Sequence, residues 1–409
     1  MRIIFLFASA ATLALAGCGN GAQRNDIGGT AEAEAVQWDG QLEKQLMAAL
    51  DWAPSHGLTR DLFLKGELPS GDADRNRALT RVALDYALAL ARGKTDPTKL
   101  HAVYTVPRPN VDVAAGLRQA MAEGRLHDWL GSLAPQTEEY RALGQAFVAL
   151  VQRPPGQPST ETAESRERAR QLAVAMERLR WLERNPPATR IDVNTAATLL
   201  DYWRDGQHQG QRRVVAGESG WETPQLGSPI FQLVANPSWN VPKSIEEDEL
   251  SKKPASYFRE QNIVRKDGRY VQLPGPKNAL GEVKFDMKND QAIYLHDTPA
   301  KALFAEDERH ESHGCVRVEG ALDFARLIAS ADGVLDKFER ALASGDETFV
   351  ALKTQIPVRL MYHTAFLGPD GRIHFADDVY GWDNDVAAAL GYETRQQAKV
   401  EHRAGDIGP

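Results

Sequence analysis

The residues best equipped for chemistry lie between Tyr294 and Glu319, where His296 is followed, after a charged run, by Ser312-His313-Gly314-Cys315-Val316-Arg317. A thiol has an ordinary pKa of about 8.5 and is a poor nucleophile at neutral pH, but an imidazole near 6.5 can take its proton. Cys315 is therefore the candidate nucleophile, and His296 and His313 are the two candidate bases. Sequence distance does not choose between them, because catalytic partners meet in space. A strand position is the more rigidly aimed, which favours His296. Gly314 lets the backbone come close to a substrate, so the amides of Gly314 and Cys315 suit a developing oxyanion. The chemistry this supports is acyl transfer: attack on a carbonyl, a thioester, then passage to a second nucleophile. A zinc site built from His296, His313 and Cys315, with Asp297 or His310, is the competing reading. Neither His-x-x-x-His nor Cys-x-x-Cys spacing is present, so no metal is expected.

The chain holds only two cysteines, Cys18 and Cys315. Met1-Arg2 and the apolar run Ile3 to Ala16 read as a signal peptide over residues 1–17, too short for a spanning helix, which needs ~20 apolar residues. Leu15-Ala16-Gly17-Cys18 looks like a bacterial lipobox, in which Cys18 is lipidated. Residue 19 is Gly rather than Asp, which resembles outer-membrane sorting in a cell with two membranes. The expectation is a periplasm-facing lipoprotein held to the membrane by its N-terminal lipid. Residues 18–37 are Gly, Ala and acidic, a flexible tether. Export into an oxidising compartment leaves Cys315 without an internal disulfide partner, and an idle thiol there is a hazard. That favours a chemical use.

The elements that must position these residues come in two halves. The chain has 409 residues, 42% hydrophobic and 25% charged, with net charge −8, which is globular composition and argues against a nucleic-acid partner. From residue 38 to about 188 the periodicity is helical. Leu42, Leu46 and Leu50 step by four, and Leu79, Val82, Ala83, Tyr86 and Leu90 follow one helix face. His56, His101 and His127 are isolated here and read as core or surface residues. Residues 153–160 read as a loop and 164–182 as a long helix. From residue 189 to 385 the pattern turns to strands: 190–194, 213–217, 231–235, 292–296 and 357–366, with a hairpin turn at Gly368-Pro369-Asp370-Gly371. In the 292–296 strand, Ile293 and Leu295 face one side and Tyr294 and His296 the other. Residues 236–273 are irregular, with several aromatics, and read as a lid-like insertion. Residues 386–409 form a C-terminal helix or tail. The fold class expected is α+β.

Tyr294-Leu295-His296-Asp297-Thr298-Pro299 and Ser312-His313-Gly314-Cys315-Val316-Arg317 closely resemble the signature of the L,D-transpeptidases, with their YkuD-type catalytic domain. Asn236-Pro237-Ser238-Trp239, Leu273-Pro274-Gly275-Pro276-Lys277-Asn278 and Pro357-Val358-Arg359-Leu360 look like the large Gram-negative branch typified by YcbB. Ser55-His56-Gly57-Leu58-Thr59 and Leu133-Ala134-Pro135 resemble that branch's helical scaffold. The resemblance implies an enzyme that needs no cofactor and acts on peptidoglycan stem peptides as donor and acceptor. Cysteine attacks the L,D-peptide carbonyl of a tetrapeptide stem, releases D-Ala and passes the acyl group to an amine, giving 3→3 cross-links. Carbapenems are the expected covalent inhibitors. Cys315 would be the nucleophile and His296 the base, with His313 orienting or an alternative base, and Ser312 and Gly314 shaping the turn and oxyanion site. Arg317, Tyr294 and Asn278 would meet substrate, although Arg317 equally suits a structural ion pair with Glu319 or Glu311. One departure is plain: where the branch often carries a peptidoglycan-binding module, only residues 147–170 remain. The alternative in another class is a non-catalytic peptidoglycan-binding or zinc-binding envelope lipoprotein.

Overall fold

The computed structural model describes residues 37–151 and 162–395. The leader, Cys18, the tether to residue 36, the loop at 153–160 and the end of the tail lie outside the described residues. Among the described residues no helix is long and apolar enough to cross a membrane.

The first half is helical. Its main helices are Gly40–Asp51, Asp72–Arg92, Val113–Ala122, Leu126–Leu133, Glu138–Val151 and Ala163–Trp181. The first is started by Asp39, whose carboxylate accepts from the Gln41 and Leu42 amides that helical bonding leaves without partners. Leu46 and Leu50 are fully buried, as are Ala83 and Leu90, so the apolar stripes meet in one core. The last helix crosses that core and carries polar groups into it. Arg180 pairs with Glu177 at 2.6 Å, both side chains fully buried. Arg178 pairs with Asp383 of the C-terminal helix Asp383–Ala389. Val386, Ala387 and Leu390 belong to the same core. The C-terminal segment therefore begins as part of the scaffold's interior and not as an appendage.

The second half is built on strands β1 (Arg190–Asn194), β2 (Leu199–Arg204), β3 (Gln207–Gly217), β4 (Gly227–Ala235), β5 (Trp239–Asn240), β6 (Ile263–Lys266), β7 (Arg269–Gln272), β8 (Val283–Met287), β9 (Leu295–His296), β10 (His310–Ser312), β11 (Val316–Val318), β12 (Thr348–Met361), β13 (Ala365–Leu367) and β14 (Ile373–Phe375). Nine strands form one sheet in the order β10-β3-β11-β9-β8-β4-β12-β1-β2, and β2 also pairs with β3. That extra pairing closes the sheet on itself and removes an edge. Alternate residues such as Ile191, Val193, Leu233, Phe285 and Leu295 point inward, where the helices Ala321–Ala331 and Leu335–Ser344 contribute Phe324 and Phe338 to the same core. The helical half followed by a mainly β half is the organisation expected from the sequence.

Two local expectations change. The strand anticipated at 292–296 shortens to β9, because Ala292 takes a left-handed conformation at φ +54°. Asn289 builds the turn responsible: its amide donates to the Ile293 carbonyl at 2.8 Å and its oxygen accepts from the Gln291 and Ile293 amides. The insertion is not irregular. It forms a three-stranded sheet β5-β7-β6 with short helices Lys243–Asp248 and Ala255–Glu260. It has its own core of Trp239, Val241, Ile245, Leu250 and Ile263, joined by Ala279 and Leu280 beyond the anticipated end of the insertion.

Candidate active site

The position of Cys315 follows from strand register. β11 runs parallel to β9, with Val316 opposite Leu295 and Arg317 opposite His296. The Val316 amide donates to the Tyr294 carbonyl at 3.1 Å, which puts Cys315 beside Tyr294. Leu295 and Val316 go to the core, so alternation turns Tyr294, His296 and Arg317 to the other face. On β8, Lys284 lies opposite His296, and its Nζ sits 5.0 Å from the Tyr294 ring centre while pairing with Asp286 at 2.7 Å.

The turn that carries the thiol is held from several sides. Gly314 adopts φ +105°, a region that side chains disfavour. Ser312 Oγ donates to the Cys315 carbonyl at 2.5 Å and accepts from the Gly314 amide at 3.2 Å. Thr223 Oγ1 donates to the Gly314 carbonyl at 2.9 Å and accepts from the Gly217 amide at 2.9 Å. Tyr380 closes the loop, its hydroxyl donating to the Gly217 carbonyl at 2.6 Å and accepting from the Thr223 amide at 3.3 Å. Thr223 and Tyr380 were not legible as site residues, since neither lies near Cys315 in the sequence. The Gly314 amide, one of the two expected oxyanion donors, is engaged by Ser312.

Cys315 is 5% exposed, and its Sγ lies 3.7 Å from the Ala292 carbonyl. Burial pushes the thiol up to about 11, opposed by hydrogen bonding to Tyr294 and by the positive charges of Lys284 and Arg317. The Tyr294 hydroxyl is raised far above its ordinary range, first by burial and then by the thiol. Burial thus favours the protonated thiol, and a base would be needed to ionise it near neutral pH.

His296 is fully buried. Its Nδ1 lies 2.5 Å from the Asp297 carbonyl, an acceptor only, so Nδ1 carries a hydrogen and, in the neutral ring, the lone pair is on Nε2. That is the tautomer a general base needs. Asp297 is itself fixed by the Glu282 amide at 3.1 Å and by Lys301. His313 points elsewhere with one ring nitrogen: Nε2 meets Glu249 of the insertion at 2.7 Å, and its ring stands edge-on to Trp221 at 5.1 Å between centres.

The remaining expected site residues are placed as follows. Arg317 is 1% exposed, buried beneath the site near enough for its charge to favour the thiolate. Tyr294 packs against the core of the insertion. Asn278 is corrected to a structural part. Its amide donates to the carbonyls of Pro237, Gln272 and Leu273, and its oxygen accepts from the Leu280 amide at 2.8 Å. Those bonds tie the base of the insertion, and the residue is 1% exposed. Among the described residues no group of three or more His, Cys, Asp or Glu is arranged to hold a metal ion.

Residues 188–350 match the L,D-transpeptidase catalytic domain, the YkuD family, and residues 36–147 match the Scaffold domain family. The chain carries an L,D-transpeptidase catalytic domain joined to a scaffold domain. A Haemophilus influenzae protein named "Putative L,D-transpeptidase" is 31% identical over 313 residues, 70% of this chain and 61% of that protein. The chain thus spans about three fifths of that relative. Among solved structures, an L,D-transpeptidase from Mycobacterium smegmatis matches at 12% identity and TM-score 0.24, covering 44% of this chain and 61% of that one. L,D-transpeptidase 3 from Mycobacterium tuberculosis matches at 14% and 0.25, covering 44% and 63%.

Proposed function

We propose that this protein is a cysteine-dependent peptidoglycan L,D-transpeptidase that forms 3→3 cross-links. The observation that carries the reading is the strand-fixed set of Cys315, Tyr294 and His296 inside a chain segment that matches the L,D-transpeptidase catalytic domain. His296 Nε2 takes the Cys315 proton as the sulfur attacks the L,D-peptide carbonyl of a tetrapeptide stem. The oxyanion that forms is met by the Cys315 amide. Collapse breaks the peptide bond, and the imidazolium returns the proton to the departing D-Ala amine. The thioester is then attacked by an acceptor amine, which loses its proton to His296 and frees the thiol. Burial pushes the thiol up to about 11, so little thiolate would form at neutral pH without that base.

The N-terminal sequence supports export and lipid anchoring at Cys18, with the enzyme facing the periplasm from the outer membrane. Incubation with a tetrapeptide stem should release D-Ala and yield a 3→3 dimer in the wild type, and neither in Cys315→Ala. Product formation by Cys315→Ala would end the assignment.

A further inference from the structure

The insertion reaches the catalytic turn with a carboxylate. Glu249 ends the Lys243–Asp248 helix and meets His313 Nε2 at 2.7 Å, with the two side chains 29% and 9% exposed. Trp221 walls the imidazole on another side, and its carbonyl and that of Glu222 lie close to Gly314. The insertion's own core meets Tyr294, the residue beside the thiol. The insertion, a candidate roof, is therefore fastened two residues from Cys315 through an acid held by an imidazole donor. Nothing in the acyl-transfer chemistry uses Glu249, and its removal would leave His313 without this carboxylate on the substrate side.

We propose that His313 and Trp221 form a carboxylate subsite, that Glu249 occupies it when the insertion is closed, and that a carboxylate of the substrate displaces Glu249 to open the roof. This rests on the acyl-transfer reading and deepens it. A tetrapeptide stem carries a free C-terminal carboxylate on the residue just beyond the scissile bond, and His313 is the binding residue for it in this scheme. A plug that competes with ligand lowers apparent affinity by the fraction of molecules it keeps closed, and removing it restores that fraction.

The test compares two tetrapeptide stems, one ending in the free D-Ala carboxylate and one in its carboxamide, with Glu249→Gln, Glu249→Ala and the wild type. Release of D-Ala or its amide gives kcat and KM for each. Glu249→Gln is expected to lower KM for the free acid about three- to tenfold, with kcat little changed, and to lower KM for the amide less. His313→Gln is expected to abolish the preference for acid over amide. Alkylation of Cys315 by iodoacetamide, which carries no charge, reports folding and opening in each variant, and is expected to be faster in both Glu249 variants. Unchanged selectivity and KM in Glu249→Gln, in protein that alkylates normally, overturns the inference while leaving the acyl-transfer reading intact. Failure of the wild type to release product from either peptide overturns the acyl-transfer reading instead.

Discussion

Thr223 offers a strict test of how the nucleophile is held. Its side chain is fully buried, and its hydroxyl donates to the Gly314 carbonyl while accepting from the Gly217 amide. Thr223→Val keeps the shape and removes both bonds, stranding a buried carbonyl and a buried amide. Each stranded group costs about 1–3 kcal/mol, so the loss of stability should be about 2–6 kcal/mol. Gly314 sits between Ser312 and Cys315, so relaxation of its carbonyl shifts the sulfur and the adjacent amide together. A displacement of about 1 Å in a reacting group costs on the order of a hundredfold in rate. Urea unfolding and D-Ala release from a tetrapeptide stem measure the two effects. Thr223→Ser retains the hydroxyl and should recover most of both. Turnover within twofold of wild type for Thr223→Val, at unchanged stability, would refute the idea that this bond places the nucleophile.

Other outcomes follow from the same geometry. His296→Ala should slow neutral-pH alkylation of Cys315 more than His313→Ala does, and the reverse ranking would move the base to His313. The Cys315 thiol is raised from 9.0 to about 11 in the folded protein. Below pH 9 both states keep the proton, but between 9 and 11 the unfolded chain ionises first, so stability falls as pH rises through that window, by about 2–3 kcal/mol. Cys315→Ala should flatten this part of the urea-unfolding profile. Tyr294→Phe removes a hydrogen bond that favours the thiolate and should raise the alkylation midpoint by about one pH unit, whereas an unchanged midpoint would show the hydroxyl plays no such part. Gly281→Ala should destabilise strongly. Its φ is +61° and an added Cβ would fall 2.3 Å from Asp297 Oδ2, beside the carbonyl that orients His296.

The sequence exposed those parts whose physics is local. Leucines at four-residue steps marked the first helix, and the alternation of Ile293, Tyr294, Leu295 and His296 marked which side chains leave the core. The cysteine and histidine types pointed to the acyl-transfer chemistry proposed for the site. What stayed hidden depends on contacts far apart in the chain. Thr223 and Tyr380 reach the Gly314 turn across about 90 and 65 residues, a span no periodicity records. The insertion's fold was obscured because its strands are short and its core rests on few side chains, so charged residues dominate each window. Asn278 looked like a binding residue by its place in a motif, yet its amide is spent on three carbonyls that only the folded turn brings together. Closure of the sheet by β2 and β3 likewise leaves no mark in either strand alone.

The central claim is that Cys315 becomes acylated. Intact-protein mass spectrometry after incubation with a carbapenem, followed by peptide mapping, tests it directly, because opening of the β-lactam leaves the whole inhibitor bound to the attacking atom. The expected result is one adduct per chain, located on Cys315, absent from Cys315→Ala and slow to form in His296→Ala. An adduct elsewhere, or wild-type protein that stays unmodified while its thiol still reacts with iodoacetamide, would contradict the account.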